Sequence, residues 1–308
     1  MCDIFKEEFR LAHFGLSHNR REDFISCQWN WHPLVYVIYR ILAAAYLTVF
    51  FITIVIIFSQ EGNTTFMAYL TLWTYLLLTL YFLFSAIAVV FYTCCRRELR
   101  QSGHQVILYT SSETQKEAIQ GYNNIAFVEN GVKNSELNGT SMSNGCPIEI
   151  NGNAKSQNND NDNLREEITS FMKICWVLGN TVQVFAIVVT LVYFTALFPL
   201  IGYTNFVDVN LHGVNSFLVI VDTCLSSRPV RLLHVIHPVI YGMCYLIFSA
   251  IYWSFDHVNN VLYPGVLDWN DPGTTAIWIA GLTLVGIPLL QLAHFGAYRL
   301  KLYISSRE

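Results

Sequence analysis

Charge is scarce in this sequence. Lys, Arg, Asp and Glu make up 13% of its 308 residues, where a soluble globular domain carries about 25%. The same chain is 53% hydrophobic and contains apolar runs longer than the roughly 18 residues that mark a bilayer span, which excludes an ordinary soluble fold. A strong charge of one sign is also lacking. The formal net charge of -4 leaves no basic footprint for nucleic acid, so no nucleic acid partner is expected. The first 33 residues lack an apolar core, with Lys6, Glu7, Glu8, Arg10, Arg20 and Arg21 scattered through them. A cleavable signal peptide is therefore not expected, and the first span must act as the insertion signal.

Six apolar stretches qualify as spans: about 34–58, 66–92, 171–196, 207–224, 232–253 and 274–297. Roughly 20 helical residues suffice for a hydrocarbon core about 30 Å thick. The fourth is short and polar at its start, and a five-helix arrangement is its rival. A second absence decides between them. The connections at about 59–65, 197–206 and 254–273 contain no Lys or Arg. Basic residues cluster instead at Arg96, Arg97 and Arg100, at Arg228 and Arg231, and at Arg299, Lys301 and Arg307. That alternation fits six spans with both termini cytoplasmic, because basic residues are retained on the cytoplasmic side. The expected fold class is thus all-α, a polytopic membrane helix bundle. Its expected parts are a cytoplasmic segment 1–33, two helices within 34–97, a cytoplasmic loop 98–165, four helices within 166–298 and a tail 299–308. An integral, multi-pass location in the plasma membrane or the endoplasmic reticulum follows, with membrane lipids as surroundings.

The loop contains a stretch, 151–163, that is nearly all Asn, Asp, Gly, Ser and Gln. It has too little apolar surface to offset the entropy of ordering, so it is expected to be disordered. Two glycosylation sequons begin at Asn63 and Asn138, of which only Asn63 would face outward. None of the eight cysteines falls in an expected outward connection, which excludes a disulfide framework. Their spacing offers no zinc site, and no metal or cofactor is expected. Cys94 and Cys95, beside Arg96 and Arg97, mark a candidate palmitoylation site.

Polar groups at membrane depth each need a reason, since an unpaired one costs several kcal/mol in hydrocarbon. On the outward half these are Thr71, Trp73 and Thr74, then Asn210, His212 and Asn215; on the inward half, Asp222, His234, His237 and Tyr241. Arg40, near the start of the first span, is expected to snorkel to the inner headgroups. His234 and His237 are expected to hydrogen-bond at the inner boundary. Thr71 and His212 lie about five residues inside spans that both begin outside, so they share one depth. A neutral imidazole can remove the proton of a Thr hydroxyl and make it a nucleophile. Asn215, three residues after His212, is expected on the same helix face, with its amide available to an oxyanion. The bland alternatives are a Thr bonded to its own helix and a His bridging helices.

The run His13-Phe14-Gly15-Leu16-Ser17-His18, followed by Phe24 and Gln28-Trp29, resembles the rolling stone family of animal membrane proteins. So do the order of spans and the stretch from His212-Gly213-Val214-Asn215-Ser216 to Asp222. The likeness implies a role in myoblast fusion or a related developmental membrane process, with no protein partner specified. A more distant likeness is to the androgen-induced hydrolases, intramembrane enzymes that cleave fatty acid esters of hydroxy fatty acids with a Thr and a His. It is carried by Tyr69-Leu70-Thr71-Leu72-Trp73, by Leu211 to Ser216, and by Tyr263-Pro264 with Asp271-Pro272-Gly273. Those enzymes tend to carry a second His three residues after the first, where this chain has Asn215. This resemblance implies an acyl-lipid substrate, with Thr71 and His212 as the reacting pair.

Overall fold

A computed structural model describes residues 8–62, 65–93 and 168–307. The loop stretch 151–163, both sequons' asparagines, Cys94 and Cys95 lie outside them. The compact unit formed by Met1–Val90 and Arg165–Glu308 holds every contact described below.

The chain is a helical membrane bundle. Five helices are long and apolar enough to cross a bilayer: α1 (Pro33–Gln60), α2 (Leu70–Thr93), α3 (Ser170–Ile201), α5 (Leu232–Phe255) and α6 (Pro272–Ser305). Between α3 and α5 a continuous helical run, α4, covers 206–225. It spans about 30 Å at 1.5 Å per residue, but Asp208, Asn210, His212, Asn215 and Asp222 keep it out of the apolar class. Its polar residues turn inward, with Asn215 and Asp222 fully buried, while Phe206, Phe217 and Ile220 face outward.

The helix starts follow from local chemistry. Pro33 and Pro272 lie in the first turns of α1 and α6, where a missing N–H costs little. Thr169 caps α3 through Met172 N–H, Asn205 and Asp208 form a capping box at α4, and Asp271 caps α6 through Thr274 N–H at 3.2 Å. A 3₁₀ turn at Phe66–Ala68 precedes α2, so that helix starts at Leu70, four residues later than its apolar run.

Helix α3 packs against α4, α5 and α6. A core of Leu47, Ile54, Tyr75, Leu78 and Phe82 joins α1 and α2 to Val182 and Ala186 of α3 and Val219 of α4. Ile38, Leu42, Val49, Ile52, Ile247, Ile277 and Leu284 are among the large apolar residues on the outside, as expected where lipid tails replace water.

Arg40 does not snorkel. It is 2% exposed, and its guanidinium lies 2.7 Å from an Asp222 carboxylate oxygen and donates to Tyr36 Oη at 2.6 Å. Asp222 also accepts from Tyr81 Oη at 2.6 Å and Gln183 Nε2 at 3.2 Å. One inward-facing carboxylate on α4 thus provides a paired site that a single helix read alone cannot reveal. Arg228 and Lys301 are buried in the same neighbourhood. Arg228 lies 3.9 Å from Asp222 and over the Tyr81 ring, and Lys301 donates to the Thr223 carbonyl at 2.8 Å.

The N-terminal segment closes this end of the bundle. Arg231 donates to the carbonyls of Gly15 and Ser17 at 3.0 and 2.7 Å. Gln28 N–H donates to Leu225 O, and Trp29 Nε1 to Cys224 O. Phe24 meets Trp176 edge-on. His234 is fully buried beneath the segment, hydrogen-bonded to Asn180 Nδ2 at 2.9 Å, while His237 Nδ1 is 3.5 Å from the same amide. These are hydrogen bonds, but His234 makes them under protein rather than at an open boundary. Among the described residues no group of His, Cys, Asp and Glu could hold a metal, and Cys27, Cys175, Cys224 and Cys244 are free thiols.

Candidate functional site

Three helices carry a wider π turn: Tyr193–Leu197 in α3, Asn210–Val214 in α4 and Leu282–Gly286 in α6. Each has a local cause. Pro199 and Pro288 follow the first and third turns by two residues. A proline has no N–H for the carbonyl four residues back and collides with it, and widening the preceding turn relieves the clash. The α4 turn is held by side chains. Asn215 Nδ2 donates to Leu211 O at 2.7 Å, and Thr190 Oγ1 of α3 donates to His212 O.

All three turns deliver residues to the same place. A cavity of about 110 Å³ is lined by Thr71, Tyr193, His212, Tyr263, Leu282 and Thr283, with aliphatic side chains from α3, α5 and α6 around them. A second cavity, of about 400 Å³, is lined by Phe58, Phe66, Leu200, Leu211 and Leu262. Thr71, Tyr193, Leu197, His212 and Tyr263 line both, so these five form the shared wall. Apart from that wall the linings are mostly apolar, as in sites for hydrocarbon ligands.

His212 is 8% exposed. Its ring stacks on Tyr193 with centroids 3.7 Å apart and planes 4° from parallel, which fixes its orientation. Its Nδ1 has no hydrogen-bond partner. Thr71 is 7% exposed and sits in the first turn of α2. Mid-helix threonines in this chain bond back to their own helix, as Thr48 does to Ala44 O, Thr79 to Tyr75 O and Thr181 to Val177 O. Thr71 has no helical carbonyl beneath it. Its neighbour in the lining of both cavities is Tyr263, whose Oη accepts from the adjacent Leu70 N–H at 2.8 Å. Tyr263 lies in the connection between α5 and α6, where burial pushes its phenol up to about 12.

Of the three residues expected together, the structure brings Thr71 and His212 to one wall and leaves Asn215 apart. Asn215 lines neither cavity. Its Nδ2 bonds Leu211 O, and its Oδ1 accepts from Ser216 N–H at 2.6 Å and Thr190 Oγ1 at 3.3 Å. The wide turn between 210 and 214 breaks the α-helical phase on which a shared face depended. Asn215 instead helps hold the turn that presents His212. Tyr193 and Tyr263 are the site residues that sequence reasoning passed over. The signals near them were Pro199, six residues after Tyr193, and the Tyr263-Pro264 step. Of the other polar groups, Thr74 is hydrogen-bonded to Tyr241 and Trp73 donates to Met67 O.

No solved structure matches the chain. It is 25% identical over 319 residues to Protein rolling stone of Drosophila melanogaster, covering 97% of this chain and 90% of that protein. The family model described as Protein rolling stone matches residues 1–128 and 152–307, so the chain belongs to the rolling stone family.

Proposed function

We propose that this protein is an intramembrane hydrolase of lipid esters, with Thr71 as nucleophile and His212 as base. The observation that carries the reading is that Thr71 and His212 both line the wall shared by two apolar cavities. Packing glue between helices needs no cavity, whereas an acyl chain does. Three π turns at one place add support, since such turns recur at functional sites.

In this reading Thr71 Oγ attacks the ester carbonyl carbon while its proton passes to His212. The tetrahedral adduct collapses with loss of the alkoxy group, which takes that proton and leaves as the alcohol. A water molecule, deprotonated by His212, then cleaves the acyl-threonine, releasing the fatty acid and restoring the hydroxyl.

The test is covalent labelling of the full-length protein in lipid nanodiscs with an alkyl fluorophosphonate. Wild type is expected to be labelled, and Thr71→Ala and His212→Gln to lose at least about 100-fold in rate, the scale of losing nucleophile or base. An unlabelled wild type, or a Thr71→Ala protein labelled like wild type, would sink the reading.

A second reading is a part in myoblast fusion or a related developmental membrane process, favoured by the likeness to Protein rolling stone along nearly the whole chain. It requires no chemistry at Thr71. Myoblast-like cells carrying Thr71→Ala separate the two: fusion that persists at normal levels detaches the process from hydrolysis.

A further inference from the structure

The shared wall contains a donor that neither the nucleophile nor the base explains. Tyr263 Oη accepts the Leu70 N–H at the start of α2, at 2.8 Å. That bond fixes the hydroxyl against α2, one residue before Thr71. Tyr245 offers a second acceptor to Leu70 N–H at 3.0 Å, and its own proton goes to Ala68 O, also at 3.0 Å. Beyond that bond the Tyr263 hydroxyl stands on the wall that Thr71 and His212 share. Among the described residues that line both cavities, Tyr263 is the hydroxyl-bearing side chain whose oxygen is bonded to the start of α2, next to Thr71.

We propose that Tyr263 is a catalytic residue of this site, donating its phenolic hydrogen bond to the oxyanion that forms when Thr71 attacks. This rests on the hydrolase reading above. The oxyanion and Thr71 Oγ are bonded to one carbon in the tetrahedral adduct, so a donor anchored on the residue before Thr71 and lining the same cavities reaches the oxyanion by rotating its O–H bond. The phenol keeps its proton throughout. It supplies the fixed donor that Asn215, bonded to Leu211 O and outside both cavities, does not. Preorganised donors of this kind act on the charge that develops in the transition state, so they change rate more than binding.

The alkyl fluorophosphonate reads the same step in one turnover. Thr71 Oγ bonds to phosphorus, its proton goes to His212, the phosphoryl oxygen gathers negative charge, and fluoride leaves. With the full-length protein in nanodiscs, Tyr263→Phe is expected to lower the maximal labelling rate about 100-fold, the cost of one oxyanion donor. Half-saturation should stay within about threefold, because the interaction is made after binding. Tyr245→Phe removes the parallel acceptor of Leu70 N–H from a side chain that is not on the shared wall, so its rate should fall at least tenfold less. Equal losses in the two variants, or a Tyr263→Phe loss confined to half-saturation, would mean that Tyr263 only holds α2 in place, and the inference fails. A Tyr263→Phe protein labelled at the wild-type rate overturns it while the hydrolase stands. An unlabelled wild type overturns both. If Tyr263→Phe does not fold, 3,5-difluorotyrosine at 263 keeps every hydrogen bond with a more acidic phenol. At least a twofold change in maximal rate at unchanged half-saturation is then expected, and no change refutes the role.

Discussion

At the Asp222 end of the bundle, polar groups meet in a packed interior. Arg40, Tyr81 and Gln183 converge on one carboxylate, Tyr36 accepts from Arg40, Gly179 leaves room for the Arg228 guanidinium, and the N-terminal segment covers the helix ends. At the Thr71 end, His212, Thr71 and Tyr263 stand against open apolar volume, and His212 Nδ1 has no partner. Helices α1, α2, α3, α4 and α6 each contribute to both ends. The ionic end ties α1 and α2 to α4 through bonds that cannot be lost singly without leaving a buried charge. The cavity end sets its polar groups along a wall whose surroundings are apolar.

The comparison is broken most severely by removing the shared carboxylate. Asp222→Ala leaves Arg40 buried and unpaired, and is expected to cost about 3–5 kcal/mol, seen as a fall in thermal stability and folded yield in detergent. The double variant Arg40→Met/Asp222→Leu should recover most of that, because a buried pair is worth little over apolar residues of similar volume. A double variant as unstable as Asp222→Ala would mean that the pair specifies the fold.

Next comes Gly179→Ala. A Cβ at 179 would stand 1.7 Å from Arg228 Nη1 and 2.4 Å from its Cζ. The guanidinium must move from its place over the Tyr81 ring, at a cost of about 1–3 kcal/mol for overpacking. Stability within a few tenths of a kcal/mol of wild type would show that Arg228 has another low-energy position. His212→Gln at the opposite end is expected to change stability by about 1 kcal/mol or less, since its ring already borders empty volume. A loss as large as that of Asp222→Ala would erase the distinction between the ends.

The sequence made one side of this contrast far more legible than the other. Long apolar runs mark the helices because a bilayer demands them, and the structure's helices start within about four residues of those runs. Thr71 and His212 emerged because a Thr and a His at one depth fit a recognisable chemistry. Arg40 was misread because its partner lies 182 positions away on α4, and sequence spacing says nothing about contacts across a bundle. Asn215 was misread because the face it shares with His212 depended on a regular 3.6-residue turn, which Asn210–Val214 does not keep. Pro199 and Pro288 were legible breaker signals. Yet a proline leaves open a kink, a π turn or a helix start, and only packing chooses among them.

The smallest expected effect on stability comes from filling the cavity end. Val188 is 4% exposed, lies on α3 beside Val184, Phe185 and Ile287, and lines the smaller cavity away from the shared wall. Val188→Phe directs a ring into volume of about 110 Å³. Gained contacts and local crowding oppose each other, so stability should change by no more than about 1 kcal/mol, toward the stabilising side if the ring fits. Selectivity is the sharper readout. If this cavity holds an acyl chain, the ring excludes its distal methylenes and leaves the ester end untouched. Each methylene is worth about 0.8 kcal/mol of burial, so losing two should reduce turnover of a p-nitrophenyl hexadecanoate relative to the butanoate about tenfold. Both esters slowing alike would place the ring across the path to Thr71. Neither slowing would move the acyl chain into the larger cavity, where Leu211→Phe repeats the test on the other side of the wall.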